Sequence, residues 1–210
     1  MQTLKTWLAA TVMFALSGAA YAAPVFQGRL ANGSASSTCT VSGATKCAMF
    51  YSTTLDITIL NDWNIGRGFW SATAAAGSAQ ALVESAGAAQ TDFTGWLLPT
   101  GDGSVYDGAR NQYRSIWNDV GNSRARLQAQ FDGVTDFYFW SSTEYAANQD
   151  KAWYLLAQAP GQLQFDKGIE LGAVAVRPGD VATSVPEPQT LALALVALAA
   201  TVVTRSRRRS

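Results

Sequence analysis

Histidine is absent from all 210 residues, and cysteine occurs only twice, at Cys39 and Cys47. The missing imidazole removes the usual base beside a serine or cysteine nucleophile, which nearly closes the common routes of covalent catalysis. Two cysteines with no histidine cannot fill a zinc shell, so no metal or other cofactor is expected. Basic residues are also scarce once the two ends are set aside. Fifteen Lys+Arg balance fifteen Asp+Glu in the whole chain, but Lys5, Arg205, Arg207, Arg208, Arg209 and Glu187 all lie in terminal segments. Residues 23 to 186 keep ten basic and fourteen acidic groups, a net charge of −4. A mildly acidic domain lacks the basic face that phosphate binding needs, so nucleic acid is not an expected partner. No apolar run is long enough for a permanent membrane span, because the longest is the thirteen residues from Leu191 to Val203. Fifteen helical residues would reach roughly 22 Å, short of a hydrocarbon core of about 30 Å.

What is present is concentrated first at the ends. Met1 to Ala22 has one lysine, an apolar stretch from Trp7 to Leu16, and Ala20-Tyr21-Ala22 before Ala23-Pro24. This is the pattern of a secretory signal peptide, implying export through the Sec translocon and removal by signal peptidase. At the other end Pro186-Glu187-Pro188 precedes the apolar run, and Arg205, Arg207, Arg208 and Arg209 follow it. Leu, Ala and Val surround that run on every helical face, so it has no polar stripe to mark a core helix. A short segment held briefly in the bilayer (residues 190–204) and then removed fits better. The arginines would stay on the cytoplasmic side.

Between the ends lies one domain's length of chain. Residues 23–47 are rich in Gly, Ser, Thr and Ala and read as loop, with an edge strand near Phe26 to Leu30. In an exported protein Cys39 and Cys47 are expected to pair. Ala48 to Leu60 carries strand-type residues, with Leu55, Ile57 and Ile59 alternating against Asp56 and Thr58. Two helices are expected, over Ser71 to Ala88 and over Ala109 to Val120, the second from the spacing of Tyr113, Ile116, Trp117 and Val120. From Phe131 the chain reads as strands at 136–142, 152–158, 162–166 and 173–177, separated by turn residues. Trp96, Trp140 and Trp153 alternate with small or hydroxylated neighbours and are expected to point inward.

Two resemblances can be set beside these readings. The order Val-Pro-Glu-Pro, apolar stretch, arginine cluster resembles the PEP-CTERM sorting signal of Gram-negative bacteria. That likeness implies processing by exosortase, a membrane transpeptidase, in an organism that makes exopolysaccharide, with a final place at the cell surface or in the matrix. Within the domain, Gly95-Trp96-Leu97-Leu98-Pro99-Thr100, then Phe139-Trp140-Ser141-Ser142-Thr143-Glu144-Tyr145, then Ala152-Trp153-Tyr154 through Arg177-Pro178 resemble the DUF1566 (Lcl C-terminal) family. The likeness runs over residues 48–180, opening at Tyr51 to Asn64, and leaves 181–210 to the sorting tail. It implies an α+β, C-type-lectin-like fold: two helices around a small twisted antiparallel sheet with long loops. The family usually carries arginine where this chain has Leu97.

Neither resemblance supplies an active site. Fourteen scattered carboxylates offer no evident pair for glycoside hydrolysis, which stays a distant alternative. Trp117-Asn118-Asp119 spells a triplet of calcium-binding lectins, but it falls on the expected second helix without its partner motif. Asp102, Ser104 and Asp107 lie in a glycine-rich loop whose spacing is not that of an EF-hand. Asn32-Gly33-Ser34 fits a glycosylation sequon that a bacterial chain has little reason to use. For carbohydrate or protein binding, with or without calcium, the best candidates are Asp62, Trp63, Asn64 and Trp70 in one turn region. Glu144, Tyr145, Asn148 and Asp150 form the other. Ordinary turn chemistry competes with binding at both. The function expected from the sequence is therefore a non-enzymatic structural or interaction role at the cell surface, with an adhesin as the alternative.

Overall fold

The computed structural model describes residues 25–103, 108–158 and 161–182. The signal peptide, the tripeptide and arginines of the tail, Ser104 and Asp107 lie outside the described residues. Within them the protein is α+β, with three helices and two sheets. No helix among the described residues is long and apolar enough to cross a membrane.

The first sheet has the order β1-β2-β3-β9 and is antiparallel throughout. β1 (Phe26–Arg29) pairs with β2 (Met49–Ser52), and β2 turns through Asp56, at φ 51°, into β3 (Ile57–Leu60). The strand-type stretch from 48 to 60 is thus a hairpin rather than one strand. β9 (Val176–Pro178) closes the sheet on β3, and Pro178 ends it opposite Ile57. The second sheet has the order β4-β8-β5-β6-β7. β5 (Tyr138–Glu144), β6 (Lys151–Leu156) and β7 (Gly161–Asp166) form an antiparallel meander. Two short strands complete it: β4 (Arg67–Gly68) pairs with β8 (Leu171–Gly172), which meets β5 in parallel.

Side-chain alternation sorts the core into two clusters. Phe50, Ile59, Phe139, Leu155 and Val176 join one cluster; Met49, Leu60, Trp140, Ala152 and Tyr154 join the other. Residues 173–176 alternate between the two, Ala173 and Ala175 to one side and Val174 and Val176 to the other. α2 and α3 supply the first cluster and α1 the second.

α1 (Ala79–Gln90) begins eight residues later than its composition suggests. Gly77 adopts φ +81° and Ser78 is extended, so the alanines before them cannot join the helix. The Ser78 hydroxyl then accepts the Ala81 N–H at 3.1 Å as an N-cap. α2 (Gln112–Asp119) buries Tyr113, Ile116 and Trp117, the residues whose spacing predicted it, behind an Asn111 cap. α3 (Arg124–Gln130) was not expected. It buries only Leu127, too little apolar surface for a helical period to show. Gly121 and Asn122, both at positive φ, separate it from α2.

Trp96 and Trp140 are fully buried, as expected from their alternation. Trp153 is only half-buried. It sits on the opposite face of β6 from Tyr154, under Gly103 and edge-on to Tyr145 at 5.3 Å. Alternation fixed which face it takes, the one it shares with buried Leu155, but at Trp153 the neighbours are Gly103 and Tyr145 rather than the core cluster.

A groove beside helix α1

The two sequence-predicted clusters occupy different environments. Asp62 accepts the Asn64 N–H at 2.9 Å in a side-chain turn, and Trp63 N–H bonds to the Asp132 carbonyl at 2.9 Å. The Trp63 indole is 1% exposed, stacked on Phe131 with centroids 4.9 Å apart and edge-on to Phe139. It therefore has no face to offer a ligand. In the second cluster, Asn148 Oδ1 accepts the Asp150 N–H at 2.9 Å and closes the β5–β6 turn. Tyr145 packs on Trp153.

One pair from the two clusters does meet, through a residue the sequence did not suggest. The Lys167 ammonium bonds to the Glu144 carboxylate and lies over the Trp70 ring, 4.4 Å from its centroid. Trp70 is itself 7% exposed, and its indole N–H donates to the Ser141 carbonyl at 2.7 Å. Trp70, Lys167 and Glu144 thus form a cation–π and ion-pair chain at the surface.

Next to this chain runs a groove of about 300 Å³, bounded by residues 71–74, α1, the Leu97–Thr100 segment and Ser142 of β5. Backbone hydrogen bonds between Leu97 and Val176 set the segment beside β9, so that Trp96 and Leu98 point inward. Leu97 points out, 47% exposed. Gln80 clamps α1 to this segment. Its amide donates to the Trp96 carbonyl at 3.0 Å and to Glu84 Oε1 at 2.9 Å, and its oxygen accepts the Leu98 N–H at 3.2 Å. Among the described residues Glu84 is the single carboxylate lining the groove, with the hydroxyl-bearing Ser71, Thr73, Thr100 and Ser142 around it. A Gln–Glu pair four residues apart was legible on α1, but what it faces was not. A wider hollow lies beside the disulfide, lined by Phe26, Ser36 and Phe50 among others.

The polar groups along the groove are hydrogen-bonding ones. Four acids elsewhere on the domain are held by cations: Asp132 by Lys46, Asp136 by Arg67, Asp102 by Arg110 and Asp180 by Arg29. Among the described residues no group of three or more His, Cys, Asp or Glu is placed to hold a metal. Trp117-Asn118-Asp119 lies on α2, where Trp117 is buried and Asp119 accepts the Thr54 hydroxyl at 2.5 Å.

Two titrating groups report on the packing. Burial pushes the Asp180 carboxyl up, but hydrogen bonds from Arg29 and the Ala182 N–H outweigh it and hold the group below the usual carboxylate range. Burial drives the Tyr113 hydroxyl well above its ordinary value, while it donates to the Trp140 carbonyl at 3.0 Å. Cys39 and Cys47 form a disulfide with their Cα atoms 5.0 Å apart. Both sulfurs lie against Gly28, where any Cβ would come within 2.8 Å of them.

No family model matches the chain, and no curated protein matches it significantly.

Proposed function

We propose that this chain is an exported protein of the cell surface or exopolysaccharide matrix, sorted by an exosortase and acting without catalysis in a structural or interaction role. The observation that carries the reading is the order Pro186-Glu187-Pro188, short apolar run, then Arg205, Arg207, Arg208 and Arg209. The Cys39–Cys47 disulfide supports it, because such bonds persist in oxidising compartments. The domain in this proposal is DUF1566-like and C-type-lectin-like, an assignment that rests on the quoted motifs. The test is the mass of the mature product. A form starting near Ala23 and lacking the four tail arginines is expected outside the cytoplasm. Recovery of an intact cytoplasmic chain still ending in Ser210 would remove the basis for this reading.

A second reading, an adhesin for polysaccharide or protein, is favoured by the groove beside α1. Its hydroxyls, the Glu84 carboxylate and the apolar Leu97 rim suit a polyhydroxylated or peptide ligand. Binding to the producer's own polysaccharide, measured with and without a chelator, should weaken several-fold in Glu84→Gln. Affinity unchanged in that variant would move the site elsewhere, first to Trp70, Lys167 and Glu144.

A further inference from the structure

β7 ends the second sheet, and among the described residues its only ladder is with β6. Sheet edges in soluble proteins are commonly protected by a bulge, a lysine, a proline within the strand or a covering element. Among the described residues β7 has no bulge, lysine or proline within the strand; Gly103 and Asn111 bond the Gln162 side chain on the face away from Leu163 and leave the Leu163–Phe165 face open. Its sequence is Gly-Gln-Leu-Gln-Phe-Asp, and its register with β6 is unbroken from Lys151↔Asp166 to Leu156↔Gly161. Leu163 is 49% exposed and Phe165 40%. They share one face with Tyr154, which touches Phe165 and Tyr138 edge-on at 5.6 Å each. Tyr138 is itself 45% exposed, so the open edge carries a continuous apolar strip.

The direction of β7's backbone groups follows from its neighbours. Lys167 N–H bonds to the Asp150 carbonyl across the β6–β7 ladder, and Ala157 N–H bonds to Phe137 on the β5 side. By the two-residue alternation of a strand, Gly161, Leu163 and Phe165 bond inward to β6. Gln162, Gln164 and Asp166 turn their N–H and C=O groups outward.

From this we infer that β7 is a homotypic docking edge, pairing antiparallel with β7 of a second copy about a two-fold axis through Gln164. The strand is self-complementary in that register. Gln164 meets its own copy and Gln162 meets Asp166, so all three outward-facing residues pair and no like charges oppose. On the apolar face each Leu163 lies opposite a Phe165. Centring the axis on Leu163 would leave Asp166 outside the ladder, and a shift between residues would put apolar side chains opposite amides. The isologous contact also makes one continuous sheet from two meanders. This proposal rests on β7 and not on the sorting tail.

Sedimentation velocity of the exported protein at increasing concentration tests it. A dimer is expected for the native sequence. Leu163→Lys/Phe165→Lys sets lysine opposite lysine in this register and should weaken dimerisation at least 100-fold. Leu163→Lys/Phe165→Glu sets lysine opposite glutamate and should restore the dimer, with a dependence on salt that the native contact lacks. A native chain monomeric at 100 µM overturns the proposal, as does a dimer that survives the lysine pair. Association driven by an uncleaved tail would survive both substitutions, so the two causes separate. If the lysine pair fails to fold, Gln164→Pro removes one outward N–H while leaving the β6 bonds of Leu163 and Phe165 in place. It should give a folded monomer, and a folded dimer again overturns the proposal.

Discussion

Single residues set the tolerances of this fold. Gly87 lies on the buried face of α1, and a Cβ there would come within 2.1 Å of the Trp96 ring. Alanine is the better helix former, so an exposed glycine would gain from the change. Here overpacking wins. Gly87→Ala should destabilise by about 1–3 kcal/mol, read from the urea midpoint. Asp180 gives the acid limb of stability. Its folded pKa is depressed, so its contribution is present above the unfolded value and is lost as pH falls through the folded one. Asp180→Asn should therefore lower the melting temperature at neutral pH and reduce the loss of stability on acidification below about pH 4. A variant with the same acid slope as the native chain would count against the Arg29 pairing as its source. Leu97 lines the same groove as Glu84, so Leu97→Arg has a carboxylate within the groove to meet. Such a partly exposed pair should gain about 0.2–1 kcal/mol, abolished by adding Glu84→Gln.

At the scale of elements, the loop 39–47 and β1 depend on each other. The disulfide stacks on Gly28 of β1, and Arg29 of the same strand reaches Asp180 beyond β9. Closing so short a ring is worth about 2.5 kcal/mol on the loop-entropy account. Reduction with dithiothreitol should lower stability by about that amount and speed exchange of the β1 amides before those of β3. Two free thiols in the exported, non-reduced protein would show that the bond does not form. The elements that the sequence revealed were those with a buried stripe. α2 exposed its period through Tyr113, Ile116 and Trp117, and the β5–β7 meander through its alternation. α3, with Leu127 alone buried, had no period to read, and α1 was overextended because alanine content cannot register a glycine at φ +81°.

For the whole molecule, the proposed placement rests on the terminal arginines. Replacing Arg205, Arg207, Arg208 and Arg209 by glutamine should reduce the processed, released form several-fold, because the charge bias that orients a short apolar segment is lost. Quantifying precursor and product in membrane and medium fractions checks this. Unchanged processing would leave the arginines without the proposed role. The sequence alone determined the cysteine pairing and the mix of helices and strands that makes the α+β class. Each of these is written in local composition or in a short period, and needs no knowledge of neighbours. Tertiary structure alone decided that Trp63 is sealed in the core and that Trp153 is not. It also brought Lys167 to Trp70 and Glu144, and set Glu84 and Leu97 along one groove. Those outcomes depend on which distant segments cover each face. Burial is a property of the packed pair, and no single segment carries it.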